Sequence, residues 1–517
     1  MGPTFHRVKK MTASSPLNAF LDVLKQSLGP GAISADSQAC REYGHHTLPE
    51  ADHIPSAILF PSSTTDVETI VRHANSFGVP LFPISMGRNL GLGSRAPMRS
   101  GQVVVDLGRR MNRVIEINEE LGYCVVEPGV TFNALYEALQ SRGSALMMSP
   151  TAGPPDGSLL GNALDKGGGS GPAGDHFGNV CGMEVVLGNG DTIRTGDGGL
   201  DVPSHPNWHV TKYSFGPALD GLFTQSNYGI VTRIGIWLNQ KPTAIRPFFF
   251  TFPDDDDLRE IIELIRAMKK RTLVPTLIRA TNDLYLLSSQ ERHPRSGQST
   301  VHPLSLAERR ALQQRYGVGS WTVSGALYGG SDEALAPGIS ALRAHFEASG
   351  KARYIAYEEA QAMPQLHAAI NSNSGRPADG ELGMLKWRPG GGAIWLTPGA
   401  PMDGQVVNEF QRQCREIAVS NGLDYMASFV CGPRFARSVH AIIYDRDKAE
   451  EAERADRCYR AMCEAFRGQG IFVGRAPTQY QAFHQSQRTP EVVKACAAIK
   501  RALDPNGIIA PGRYGIE

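Results

Sequence analysis

The sequence has almost no net charge, no long apolar run and no closely spaced cysteine pair. Its 52 Lys and Arg against 51 Asp and Glu leave a formal charge of +1. Nucleic-acid binders show a basic excess or stripe, so nucleic acid is not an expected partner. No stretch approaches the roughly 18 consecutive apolar residues of a membrane span, so no membrane partner is expected either. The opening segment, MGPTFHRVKKMTASSPLNAF, has two lysines but no apolar block behind them, and no cleaved signal is expected. The eight cysteines (Cys40, Cys124, Cys181, Cys414, Cys431, Cys458, Cys463 and Cys496) form no CxxC pair and are too sparse for a disulfide framework. They read as reduced, buried thiols of a cytoplasmic protein. His45, His46 and His53 lack the further Cys or carboxylate spacing of a metal site, so no metal is expected.

What remains is a globular composition, 41% apolar and 20% charged, in a chain whose 517 residues suggest two to four domains. Residues 57–85 read as strand, helix, strand. The run Ala57–Phe60 is apolar, Ser62–Asp66 offers helix caps, and Val67, Ile70, Val71 and Ala74 recur at helical spacing up to Gly78. Short β signals follow at 103–107, 114–117 and 123–126, then a helix capped by Thr131. Gly188-Asn189-Gly190-Asp191 joins two strand signals as a hairpin. The acidic run Asp254–Asp257 marks a change of character. Beyond it helical patterns (258–268, 306–316, 332–348, 406–420, 448–466) alternate with β runs, and 242–470 reads as a second α+β domain.

The 56 glycines are concentrated, and the concentrations carry chemistry. Ser85-Met86-Gly87-Arg88-Asn89-Leu90-Gly91-Leu92-Gly93-Ser94 follows a strand directly. Glycines there admit positive φ and let backbone N–H groups approach an anion closely. It is not a P-loop, because no GxxxxGK followed by Ser or Thr is present. Gly169-Ser170-Gly171-Pro172-Ala173-Gly174 matches GxGxxG. The preceding segment Leu159–Lys166 reads as a helix rather than a strand, so it is not a Rossmann fingerprint.

Pro83-Ile84-Ser85-x-Gly87-Arg88-Asn89-x-Gly91-x-Gly93 resembles the FAD-pyrophosphate loop of the vanillyl-alcohol oxidase / p-cresol methylhydroxylase family. In chain order, further stretches resemble the same family: Tyr123–Thr131, Ser158-x-Leu160-Gly161-Asn162-Ala163, Gly174-Asp175-His176, Gly182–Leu187, Asp220–Ile230 and Asp504–Gly512. The resemblance implies an α+β fold. An FAD-binding domain would be built from residues 1–241 and a C-terminal return at 471–517, with an α+β cap over 242–470. It implies FAD held by Ser85, Met86, Gly87, Arg88, Asn89, Gly91 and Leu92, by Ser158, Gly161, Asn162, Gly168 and Gly171, and by Gly229, Ile230 and Arg513. It also implies oxidation of para-substituted phenols at the benzylic carbon, with electrons leaving to O2 or a cytochrome, and a homo-oligomer such as a dimer.

The sequence departs from the family's pattern at the substrate. The tyrosines that accompany a phenolate there fall on Leu92, Ser170 and Gly474, and of that set only Arg475 remains. Arg475 is either the substrate anchor or a structural arginine beside the flavin. The family's usual catalytic carboxylate falls on Gly153. Asp156, three residues on, is either a displaced base or part of an ordinary Pro-Pro-Asp-Gly turn. Glu381 matches a second acidic position of the family's pocket, or is a solvated loop residue. His440, on a strand expected to face the pocket, is a further base candidate or a core histidine. The position that often tethers the flavin reads Ala393, so FAD is expected to bind non-covalently.

The expected function is therefore FAD-dependent oxidation of a benzylic or allylic carbon of an aromatic compound, with a pocket wider than simple phenols need. A dehydrogenase of 2-hydroxy acids or other non-phenolic alcohols and a catalytically decayed flavin carrier are the alternatives.

Overall fold

A computed structural model of the chain describes residues 15–271, 273–298 and 301–517. The opening segment read for a signal lies, through residue 14, outside the described residues.

The N-terminal region folds as its local signals dictate. Strands Ala57–Leu59 and Leu81–Ile84 flank Val103–Asp106 in parallel, in a four-stranded sheet with Ile33–Ser34 at one edge and Leu81–Ile84 at the other. The intervening helix Thr64–Phe77 starts at Ser63, whose side chain accepts the Asp66 N–H, and ends on Gly78 at φ 63°. That φ is left-handed, which glycine adopts without Cβ strain. A five-stranded antiparallel sheet follows, in the order 114–118, 123–126, 229–237, 180–187, 192–194. The Gly188–Asp191 hairpin closes its last pair.

An antiparallel sheet of eight strands, all between Ala244 and Tyr444, forms the second region. Its strand Phe435–Tyr444 pairs with Ala427–Cys431, Gly392–Leu396 and Gly399–Pro401. Side chains alternate between faces along a strand. One face, carrying Phe248, Phe250, Ile278, Val323, Phe429 and Ile442, is covered by helices Leu258–Lys270, Asp332–Glu347, Gly404–Ser420 and Ala449–Gly468. The other face, carrying Arg279, Val430, Arg437 and Val439, looks into a cavity.

The chain ends against the first region. Ile509 bridges Leu81 in parallel, and Asn227 donates to the carbonyls of Ala510 and Ile516. Lys500, fully buried, donates to Asp504 at 2.6 Å and to the carbonyls of Asn227 and Ile509, each at 2.7 Å. All eight cysteines are free thiols, seven of them buried. Among the described residues no helix is long and apolar enough to cross a membrane.

Because Lys500 is the buried counter-charge of Asp504, Lys500→Met strands a carboxylate in the interior. A loss of about 3–5 kcal/mol is expected, seen as a lower urea midpoint. The double variant Lys500→Met, Asp504→Leu is expected to recover part of that loss.

Candidate active site

The strand Leu81–Ile84 delivers the chain into the glycine loop at Ser85. Gly87 and Gly91 sit at φ 60° and 71° and Gly93 at 126°, so the loop folds back tightly. The N–H groups of Met86, Gly87, Arg88 and Asn89 have no acceptor among the described residues. They line a cavity of about 620 Å³ as an electropositive nest. Opposite stands the short helix Leu159–Leu164, whose cap Ser158 accepts the Gly161 N–H at 3.0 Å and donates to the Pro128 carbonyl. Gly161 has no side chain because a Cβ there would collide with Ser85 Oγ.

Asp165, just past that helix, organises the next layer. Its Oδ2 accepts from Arg475 Nε at 3.1 Å, from Arg475 Nη2 at 2.5 Å and from Asn89 Nδ2 at 3.3 Å. Its Oδ1 accepts from Tyr514 at 3.2 Å. Burial and the neighbouring Asp165 push the Tyr514 phenol up to about 12, so it stays a proton donor. Tyr514 sits in the left-handed region at φ 58°, a conformation held by its packing.

The cap face contributes a second cluster. Glu381 accepts from Arg279 through both oxygens and from Tyr285 at 3.2 Å. Arg279 also donates to Ser428 Oγ. Burial and Glu381 raise the Tyr285 pKa well above its ordinary value, so this phenol too remains protonated. Trp395 and Thr397 line the cavity from the strand Gly392–Leu396 and its end.

Most of the residues expected from the sequence meet here. Ser85, Met86, Gly87, Arg88, Asn89, Leu92, Ser158, Gly161, Asn162, Gly168, Ser170, Gly229, Ile230, Glu381, Arg475 and Arg513 all face the cavity. Five do not. His440 lies on the opposite face of its strand from Arg437 and Val439, packed among Phe410, Tyr425, Phe429 and Phe466. Burial drops its pKa to about 3, so it is a neutral core histidine and not a base in the cavity. Asp156 pairs with Arg88 at 2.9 Å with 53% of its side chain exposed, as an ordinary turn residue. Gly91 packs against the Trp395 ring, where a Cβ would come within 2.7 Å. Gly171 gives its N–H to Ser149 Oγ, and Gly474 gives its own to the Thr397 carbonyl.

Sequence reasoning missed Asp165, Arg279, Tyr285, Tyr514 and Arg437. Asp165 stood next to a quoted motif, three residues after Asn162. Tyr514 directly follows Arg513, itself expected at the site. Arg279, Tyr285 and Arg437 carry no local signal; Arg279 and Glu381, for instance, meet from 102 residues apart. Among the described residues no group of three His, Cys, Asp or Glu side chains is placed to hold a metal.

A family model described as FAD binding domain matches residues 55–196, and one described as FAD linked oxidases, C-terminal domain, matches residues 256–514. The chain is 35% identical over 512 residues to the 4-cresol dehydrogenase (hydroxylating) flavoprotein subunit of Pseudomonas putida, spanning 98% of this chain and 97% of that one. It is 33% identical over 534 residues to the 1'-carboxy-chondrochloren decarboxylase of Chondromyces crocatus, spanning 97% and 98%. It superposes on substrate-bound p-cresol methylhydroxylase with a TM-score of 0.94 at 34% identity over 98% of both chains. The residues present fit the FAD these matches imply. Four unbonded N–H groups suit a diphosphate, and the glycine-lined groove is a cradle that side chains would fill.

Gly161→Val is expected to abolish flavin retention by driving its side chain into Ser85. The check is the flavin absorbance of the purified protein, with an unchanged far-ultraviolet circular dichroism spectrum showing that the fold persists.

Proposed function

The chain belongs to the vanillyl-alcohol oxidase / p-cresol methylhydroxylase family of FAD-linked oxidoreductases, and we propose that it oxidises the benzylic or allylic carbon of a phenolic or other aromatic compound. The observation that carries this reading is the single cavity joining the glycine-loop nest to Arg475 and Glu381. Bound FAD supplies the two-electron acceptor for a hydride. The chain's own groups do the rest. The Met86–Asn89 N–H groups hold the diphosphate. Arg475, whose Nε and Nη2 are committed to Asp165, offers Nη1 to the substrate oxygen. Glu381, aligned by Arg279 and Tyr285, accepts the proton released from that oxygen. Loss of a benzylic hydride and a phenolic proton leaves a neutral quinone methide of the substrate, open to addition of water. Leu92, Trp395 and Val439 contribute apolar surface to the cavity wall.

With Leu92 and Ser170 on the cavity wall where the family carries tyrosines, the pocket suits a bulkier substrate than 4-cresol. Ala393, a buried residue without a nucleophile, supports non-covalent FAD. O2 or a cytochrome takes the electrons, and the protein works in the cytoplasm as a homo-oligomer.

The test is anaerobic. Adding 4-hydroxybenzyl alcohol is expected to bleach the flavin bands, and D-lactate is expected to leave them unchanged. Bleaching by D-lactate alone would assign the 2-hydroxy-acid reading instead. If no donor reduces a bound flavin that dithionite still reduces, the chain is a carrier. In steady state, Arg475→Ala is expected to cost about 10²–10³ in kcat/KM, and an unchanged value would remove Arg475 as the anchor.

A further inference from the structure

Five arginines face the cavity: Arg88, Arg279, Arg437, Arg475 and Arg513. Three are ion-paired, with Asp156, Glu381 and Asp165 respectively for Arg88, Arg279 and Arg475. Arg513 donates to the Pro83 carbonyl and stacks on Phe82 and Tyr514, on the glycine-loop side. Arg437 is left. Among the described residues no carboxylate lies within ion-pair distance of it. Its one hydrogen bond runs from Nη1 to the Lys166 carbonyl at 3.1 Å. A guanidinium carries five N–H donors, so most of its capacity is unspent.

The sheet register fixes where this cation stands. Arg279, Val430 and Arg437 are direct cross-strand partners in one row. Successive strands lie about 4.8 Å apart, so Arg437 sits roughly 10 Å from Arg279 on the same wall. Its Nη1 is 3.7 Å from where a Cβ of Gly168 would be, against the tract that leads to Ser170. Nearby charge acts on it both ways. Arg475 and Lys166 repel it, while the Asp175 carboxylate, which accepts the Gly178 N–H, attracts it from beyond ion-pair distance. Burial and Arg475 push its pKa down, yet a guanidinium stays charged. Its guanidinium also lies 5.9 Å from the centre of the Phe435 ring, but a partly buried cation with no carboxylate in contact, beside another cation, is costly unless an anion joins it.

We propose that Arg437 is a specificity-determining residue that binds a carboxylate on the substrate, so that the natural substrate is an aromatic compound bearing an acidic side chain. This rests on the aromatic-substrate reading above and selects a class within it. The planar fork suits a carboxylate bidentately. The paired Arg475 is left to the ring oxygen.

The experiment measures binding by calorimetry on the flavin-loaded protein. The probes are 3-(4-hydroxyphenyl)propanoate and its neutral isostere 3-(4-hydroxyphenyl)propanamide. Wild type is expected to bind the acid about tenfold or more tighter than the amide. Arg437→Met is expected to collapse that ratio to near one, and Arg437→Lys to keep part of it. Equal binding of acid and amide by wild type, or no binding of the acid, overturns the proposal. So does a ratio that survives in Arg437→Met, or loss of flavin from that variant, which would assign Arg437 to the cofactor. The underlying reading fails separately, when 4-hydroxybenzyl alcohol leaves the wild-type flavin oxidised.

Discussion

One carboxylate holds the cavity's parts in register. Asp165 gathers Asn89 from the glycine loop, Arg475 from the segment leaving the cap, and Tyr514 from the tail. Its own carbonyl takes a bond from Gln225, which also reaches the Gly474 carbonyl. Segments up to 349 residues away from Asp165 in the chain therefore share one anionic centre. Charge-assisted bonds to two atoms of one guanidinium fix its plane as well as its position. The orientation of the Arg475 guanidinium on the cavity wall is thereby set by the protein's own contacts.

The cap sheet imposes the second constraint. A strand offers alternate residues to opposite faces, and here one face is covered by four helices and the other is the ceiling of the cavity. Along Phe435–Tyr444 this sends Ala436, Ser438, His440 and Ile442 into the helix layer and Arg437 and Val439 to the cavity. A shift of one residue would turn Arg437 to the helix-covered face and His440 to the cavity's face. The chemistry of the pocket therefore depends on hydrogen-bonded register as much as on residue type.

Much of the local structure was legible from the chain alone. The caps at Ser63 and Thr131, the left-handed stop at Gly78 and the hairpin at Gly188–Asp191 stand where nearest-neighbour chemistry puts them. Each involves groups a few residues apart, so no distant partner could alter the outcome. The loop at Ser85–Ser94 was legible for the same reason, because glycine spacing and an incoming strand suffice to expose its N–H groups. Gly91 was misassigned as a ligand-facing glycine since its reason for lacking a side chain is the Trp395 ring, 304 positions further on in the numbering.

By itself, then, the sequence determined a tight glycine loop with exposed N–H groups, an α+β layout, an arginine at 475 and the lack of tyrosine at 92, 170 and 474. Tertiary structure alone decided which of the cavity's arginines are ion-paired and which are not. It also decided that His440 is core, and that Tyr285, Arg279 and Glu381 meet. Ion pairing and face selection are long-range properties. A charged side chain looks the same in a sequence whether or not a carboxylate waits opposite it, and only the folded register brings the two within about 4 Å.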